Sequence, residues 1–457
     1  MKFKTINPAT GEVIAERETM SRDEVFAIAE ACHAAFLKWR QLDVSQRVPY
    51  LLKLAEVLRN RKEKYARLIT TEMGKPIKDS LAEIEKCAWT AEVFADKAEN
   101  WLREETVEAD GKKHVVSYEP LGVILSIMPW NFPFWQALRF AIPTLLAGNV
   151  SILKHSNSVP QCALAIEEAF REAGCPENTF RTVIADHATI AELIASDFIQ
   201  GVSLTGSTAA GQRIGELAGR HLKKVVLELG GSDPFIVLED ADLDIAARNA
   251  ALARTINTGQ SCIAAKRFIV AEEVVEPFSK KFAEYLNRVV VGDPMEEDTQ
   301  VGPLVNEEAA KEMEELVNEA VSRGAKVLAG GKRLERKGYF YLPTLLTNVR
   351  PDMKVVAQEV FGPVAPVIAV KDEDEAIKVA NSSDFGLGGS VWTKDLERGM
   401  RVAKRIEAGT VFVNEVTKSD PRMPFGGIKK SGLGRELSKF GIREFVNVKA
   451  LNVYEHR

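Results

Sequence analysis

From Asp23 to about Leu102 the apolar residues recur every three or four positions, as in Ala27, Ala31, Ala34 and Ala35 and again in Leu51, Leu54, Ala55 and Leu58. Spacing near the helical period places such residues on one face, so several amphipathic helices are expected here. Near Thr106 the pattern changes. In VEADGKKHVVSYEPLGV, Asp110-Gly111 separates two short β-type runs, which predicts a two-stranded hairpin over 106–119. Between Asn149 and Gly231, β-rich runs (VSILK at 150–154, TFRTVI at 179–184, GVSLT at 201–205, KVVLEL at 224–229) alternate with helical windows, the last from about Thr208 to Leu222. Strand and helix in regular alternation imply a parallel sheet. The alternation restarts after Gly231 with FIVL, a helix over 242–256, RFIV at 267–270 and a long helix ending near Val290, so a second α/β domain is expected from about residue 231. The final segment, EFVNVKALNVYEH, alternates as a strand and needs a partner for its edge, either the 106–119 hairpin or another subunit.

Composition narrows the possible roles. At roughly 150 residues per domain, 457 residues suffice for about three domains and at least one large core. With 60 Lys+Arg against 65 Asp+Glu the net charge is -5, which disfavours a nucleic-acid binder. Five cysteines (Cys32, Cys87, Cys162, Cys175, Cys262) lie far apart with no C-x-x-C pair, so neither a disulfide framework nor a zinc ribbon is offered and a reducing cytoplasm is the expected location. The N-terminus reaches Asn7-Pro8 before any apolar run, unlike a signal peptide. Leu121 to Trp135, broken by Pro129 and Pro133, falls short of the roughly 20 apolar residues a bilayer demands, so no membrane association is expected. Six histidines without paired spacing predict no metal site, and the charge run KDEDEAIK at 371–378 reads as a solvated helix start.

Four places are able to carry chemistry. GVSLTGSTAAG sets Gly206-Ser207 between a strand and a helix, which is either a phosphate-binding helix N-terminus or a plain turn with a serine cap. Cys262 follows the polar turn NTGQS and precedes a strand, as a nucleophile or as an inert thiol, whereas Cys87 and Cys162 fall in helical windows and read as small core residues. Glu228 ends the apolar run KVVLEL, either as a base of raised pKa or as a solvated strand terminus. In MPWNFP, Asn131 stands between two prolines and two aromatics, where its amide either completes an oxyanion hole or only satisfies a turn.

Taken together, PWNFP at 129–133, LK at 153–154, TGSTAAG at 205–211, LELGGSDP at 227–234, NTGQSC at 257–262, EVFGP at 359–363 and PFGGIKKSGLGRE at 424–436 resemble the aldehyde dehydrogenase superfamily, in that family's order and over nearly the whole chain. Within it the chain is most similar to the short succinate-semialdehyde dehydrogenases, through KH at 154–155, LELGGSDPFIVL and SDPR at 419–422. The resemblance implies an α/β fold with a Rossmann-like cofactor domain (1–105 and 120–230), an α/β catalytic domain (231–434) and a small β oligomerisation arm (106–119 and 435–457), assembled as a homodimer or homotetramer. It also implies oxidation of an aldehyde to an acid. Cys262 attacks the carbonyl, Asn131 and the Cys262 N–H hold the oxyanion, hydride passes to NAD(P), and Glu228 activates the water that releases the acid.

For the cofactor the resemblance points to Lys154 at the adenosine ribose, Trp130 and Ser207 at the pyrophosphate, and Glu359 with Phe361 at the nicotinamide. Ser156, Asn157, Gly206, Gly211 and Leu229 complete the set. Asn157 stands where NAD-preferring relatives usually carry a Glu that repels a 2′-phosphate, so NADP is expected to be favoured over NAD. Arg139 and Ser419 match the clamp for a substrate carboxylate. A second Arg that some relatives carry six residues before the nucleophile is Ile256 here, leaving Arg254 or Arg422 as substitutes, and Ala264 removes the paired-cysteine redox switch of others. Succinate semialdehyde is thus the expected substrate. Lactaldehyde, glyceraldehyde or glutarate semialdehyde, a CoA-acylating reaction, and a non-catalytic cofactor-binding role are the alternatives.

Overall fold

The computed structural model describes residues 2–455; Met1, His456 and Arg457 lie outside it. A six-stranded sheet runs in the order Gly432–Leu433, Lys224–Glu228, Ile199–Thr205, Val123–Met128, Val150–His155, Phe180–Val183. All neighbours are parallel except the short strand Gly432–Leu433. Parallel strands need crossovers, and helices Pro133–Leu146, Pro160–Glu172, His187–Ala195 and Thr208–Arg220 supply them. Val123–Met128 and Val150–His155 are buried on both faces, which is why they read as continuous apolar runs. From Val123–Met128 the sheet grows in both directions, toward Val150–His155 and toward Ile199–Thr205, which makes its carboxyl end a topological switch point where ligand crevices form.

The first half of the chain bears out the helical periodicity. Helices Arg22–Trp39, Val44–Asn60, Lys62–Met73 and Ile77–Trp101 share one core with the sheet and with Pro133–Leu146. Two buried glutamates fasten these helices to the crossovers. Glu83 accepts the backbone N–H groups of Phe134 and Trp135, both at 2.9 Å, at the start of Pro133–Leu146. Glu72 does the same for Gln161 and Cys162 at the start of Pro160–Glu172. Both helices begin with proline, which has no N–H to satisfy, so a single carboxylate answers the donors that remain nearest the end.

The second α/β body holds a seven-stranded sheet, ordered Lys326–Ala329, Thr344–Thr347, Val364–Val370, Ala265–Ala271, Asp233–Val237, Gly388–Trp392, Thr410–Val413, parallel except at Lys326–Ala329. Away from both bodies, Val446–Val453 pairs antiparallel with Lys113–Pro120, which pairs with Glu105–Val107. The terminal strand thus finds the hairpin as its partner. The segment 435–445, expected in the arm, lies elsewhere. Leu437, Ile442 and Phe445 are buried in the first core, Phe445 edge-on to Phe140 at 5.7 Å, with its carbonyl held by Asn149 Nδ2 at 2.8 Å. A five-residue helix, Ser438–Ile442, is too short to announce itself by periodicity. The hairpin Lys2–Ile6 and Val13–Glu18 was also not anticipated; both strands are largely exposed and carry little apolar signal.

Glu83 also forms a buried ion pair with Lys75, so Glu83→Ala would strand a cation and two N–H donors together. A loss of about 3–5 kcal/mol is expected, read as a lowered urea midpoint.

Candidate active site

The turn that presents Cys262 is an unusual backbone held by many hydrogen bonds. Asn257, Thr258 and Gly259 all have positive φ (51°, 60° and 76°), a region costly for a β-branched residue such as Thr258. At Gly259 a Cβ would collide with the Gly362-Pro363 backbone, so only glycine fits. Three buried side chains hold the turn. Arg254 donates to the Gly259 carbonyl (2.7 Å), Asn257 Nδ2 to the carbonyls of Asn131 (2.8 Å) and Gln260 (3.0 Å), and Lys266 Nζ to those of Ser261 (2.8 Å) and Cys262 (2.7 Å). Gly302 N–H donates to Thr258 Oγ1 and Val305 N–H to Gln260 Oε1, fixing the outer side. Arg254 is therefore committed to the backbone and is not available to a substrate. Arg422 is exposed and paired with Asp420.

Asn131, which follows the strand Val123–Met128, is tied into the same turn. Its Nδ2 donates to the Gln260 carbonyl at 3.0 Å, and its Oδ1 accepts from Gln136 Nε2 at 3.1 Å, so the NH2 group faces the nucleophile turn with a second N–H to spare. Burial pushes the Cys262 thiol up to about 12, only partly countered by the charges of Lys266 and Arg139.

Glu228 ends its strand fully buried, and neither carboxyl oxygen has a hydrogen-bond partner among the described residues. Burial, reinforced by the nearby Glu436 carboxylate and opposed by Arg139, holds its carboxyl well above the usual range. It is a buried acid rather than a solvated strand terminus. Its Oε1 lies against Gly426, and Glu228 is not among the residues lining the cavity at Cys262.

That cavity, about 220 Å³, is lined by Cys262, Ile256, Gln136, Trp135, Phe425, Arg139, Lys86 and Ser419 among others. The structure thus brings Arg139 and Ser419 together with Cys262. Arg139, however, is not free: it forms a buried ion pair with Glu436 at 2.5 Å. Lys86, which no motif indicated, donates to Ser419 Oγ at 2.7 Å and lies over the Trp135 ring at 4.3 Å.

The expected cofactor residues gather at the carboxyl end of the six-stranded sheet. Trp130 follows Val123–Met128, Lys154 is near the end of Val150–His155 with Ser156 and Asn157 just beyond, and Gly206-Ser207 follows Ile199–Thr205. Ser207 caps helix Thr208–Arg220 by accepting from Ala210 N–H, and Gly206 N–H donates to the Glu228 carbonyl. Gly211 lets the helix close on Leu229, where a Cβ would collide. From the second body, Glu359 accepts from Gly231 N–H (3.0 Å) and sits 3.6 Å from Lys266, while Phe361 meets Trp130 edge-on at 5.9 Å. Lys154 is buried, and burial lowers its pKa; no carboxylate pairs with it among the described residues. An unpaired ammonium and a capped helix N-terminus at the carboxyl end of the same sheet fit a phosphate-bearing dinucleotide. His155 stays neutral, lowered to about 4 by burial, and bonds the Pro133 carbonyl in a purely structural role.

The aldehyde dehydrogenase family model matches residues 1–451, and the chain belongs to this family. It is 48% identical over 451 residues to the probable succinate-semialdehyde dehydrogenase (NADP+) of Synechocystis sp., covering 99% of both chains. It is 44% identical over 452 residues to the succinate-semialdehyde dehydrogenase (NADP+) of Deinococcus radiodurans, covering 99% of this chain and 95% of that one. The crystal structure of succinic semialdehyde dehydrogenase from Streptococcus pyogenes with NADP+ superposes with a TM-score of 0.97 at 36% identity, over 99% of this chain and 100% of that one. No described helix is long and apolar enough to cross a membrane, and no group of metal-ligating side chains occurs among the described residues.

A thiol raised to about 12 is protonated at neutral pH, so alkylation of Cys262 in the cofactor-free protein should accelerate about tenfold per pH unit from pH 7 to 10 without levelling. Mass spectrometry of the iodoacetamide-labelled Cys262 peptide measures this, and a plateau below pH 8 would contradict it.

Proposed function

We propose that the protein oxidises succinate semialdehyde to succinate with NADP. The observation that carries this reading is a single cavity joining the nucleophile Cys262 to the cationic and hydroxyl groups of Arg139 and Ser419. An aldehyde at one end and a carboxylate at the other match that arrangement. The relatives named for succinate semialdehyde and NADP+ support it across the full chain.

Cys262 sulfur bonds to the aldehyde carbon as its proton passes to water in the cavity, and the carbonyl oxygen takes the electron pair of the C=O π bond and with it the negative charge. The spare N–H of Asn131 and the Cys262 backbone N–H hold that charge. Preorganisation matters because the Asn131 amide is clamped at both ends and loses nothing by reorienting. NADP, when bound, is the hydride acceptor that takes the aldehyde carbon to the acyl level. Water then displaces the Cys262 sulfur, with Glu228 taking the proton; for this the Glu228 side chain must rotate from its place against Gly426 toward the cavity. A carboxylate in such a dry setting binds a proton strongly, which suits a base. Lys154, Ser156, Asn157 and the Ser207 helix end would hold the adenosine and phosphates, with Asn157 leaving room for a 2′-phosphate, and Trp130, Glu359 and Phe361 would hold the nicotinamide end. The five cysteines are unpaired, which supports a cytoplasmic location.

Steady-state kinetics should give a roughly 10- to 150-fold higher kcat/KM for succinate semialdehyde than for butanal, which has the same carbon count and no carboxylate. Cys262→Ala sets the background. Equal turnover of the two aldehydes would refute the substrate, and a tenfold preference for NAD in the same assay would refute the cofactor.

We also propose a homodimer or homotetramer built on the arm. Val446–Val453 has an unpaired edge and exposes Val448, Leu451 and Val453, a surface that association would cover. Light scattering should find two or four chains, and a monomer at micromolar concentration would reject this assembly.

A further inference from the structure

Carboxylate recognition needs a cation whose charge is not already neutralised, and the cavity beside Cys262 offers four with different commitments. Lys75 is buried against Glu83 and lies over the Phe132 ring at 3.7 Å. Arg139 is paired with Glu436, and Lys418 with Glu415. Only Lys86, among the described residues that line the cavity, is a cation without a carboxylate within 4 Å. The acids near it are engaged elsewhere. Asp420 is gripped by Arg422 through Nε at 2.9 Å and NH2 at 2.6 Å, and also accepts from the Arg422 N–H. Glu83, one turn earlier on the same helix, serves Lys75 and two backbone donors. Asp79, also on the cavity wall, is two turns away, about 10 Å along the helix axis.

The Lys86 ammonium is positioned rather than floating. It donates to Ser419 Oγ at 2.7 Å and lies over Trp135, leaving two of its three N–H donors for a ligand. The turn that leads to Cys262 contributes Ile256, Asn257 and Ser261 to the lining and no cation.

Resting on the proposed oxidation of a carboxylate-bearing aldehyde, we infer that Lys86, presented with Ser419, is the residue that binds the substrate carboxylate and sets specificity for charged aldehydes. Arg139 then acts mainly on Glu436 and, through it, on Glu228, and only lends its field to the pocket. Lys86 is a binding residue of the cavity that Cys262 also lines, so its loss acts on selection of the aldehyde.

The charge of Lys86 is available only up to moderate pH. Burial, and then the like charge of Arg139 on the neighbouring helix, lower its pKa to about 8, against the smaller opposing influence of Cys87 and Glu83 on its own helix and Asp420 on the facing loop. Above that pH the ammonium becomes neutral and the attraction for a carboxylate disappears.

The test is the ratio of kcat/KM for succinate semialdehyde to that for butanal, measured from pH 6.5 to 9.5 on the full-length protein. Titrations shared by both aldehydes, including those of Cys262 and Glu228, cancel in this ratio. In the wild type the ratio should be high below pH 8 and fall about tenfold per pH unit above it, through KM. Lys86→Met should lower the ratio at pH 7 at least tenfold and remove its pH dependence. Lys86→Arg, which keeps a charge that does not titrate here, should retain a preference and shift the fall beyond pH 9.5. The arginine variant and thermal melts guard against misfolding as the cause. A wild type with no preference overturns the substrate reading and this assignment with it. A wild-type preference that Lys86→Met retains overturns the assignment alone.

Discussion

Between Ile256 and Cys262 the backbone passes through three successive left-handed residues, a path that Asn257 and Gly259 tolerate and the β-branched Thr258 resists. It persists because Arg254, Asn257 and Lys266 place their donors on the carbonyls of the turn, inside protein, where an unanswered carbonyl is expensive. The same turn fixes the Cys262 sulfur, the Asn131 amide and, through Lys266 and Glu359, the rim of the cofactor crevice. The backbone that presents Cys262 is one that only a fully bonded surround can hold.

Behind the turn lies a second constraint, made of charge. Glu228 and Glu436 are buried near one another, and a single arginine, Arg139, stands between them and the substrate cavity. Burial and the Glu436 carboxylate strengthen the hold of Glu228 on a proton, and the charges of Arg139 and, less strongly, Arg435 oppose it. The pairing of Arg139 with Glu436 leaves the arginine's charge largely answered within the protein.

Much of this was legible in the order of residues. Strands and helices of the two sheets follow from alternation; Cys262, Glu228, Asn131 and Gly206-Ser207 stand out in short blocks beside strand ends, each with a structural alternative, and Lys154 is indicated only by the family resemblance. Lys86 carries no such signal: it is one charged residue in a 25-residue helix, and its partner Ser419 is 333 residues away. Arg254 misled for the opposite reason, being near the nucleophile in sequence and an arginine, yet it faces backbone. Glu436 and Gln136 likewise gain meaning only when distant elements meet. Motifs expose groups that act within a few residues of a turn; ion pairing and burial, which decide what those groups do, depend on contacts across the fold.

The first core is closed by both ends of the chain. Leu437, Ile442 and Phe445 fill it, and Gly432–Leu433 adds the edge strand beside Lys224–Glu228, while the whole seven-stranded body lies in between. The native contacts of the first core, Phe445 against Phe140 among them, are therefore complete only once residues from both ends of the chain are present. A crevice between the two bodies assembled in this way comes into being only when the chain is whole.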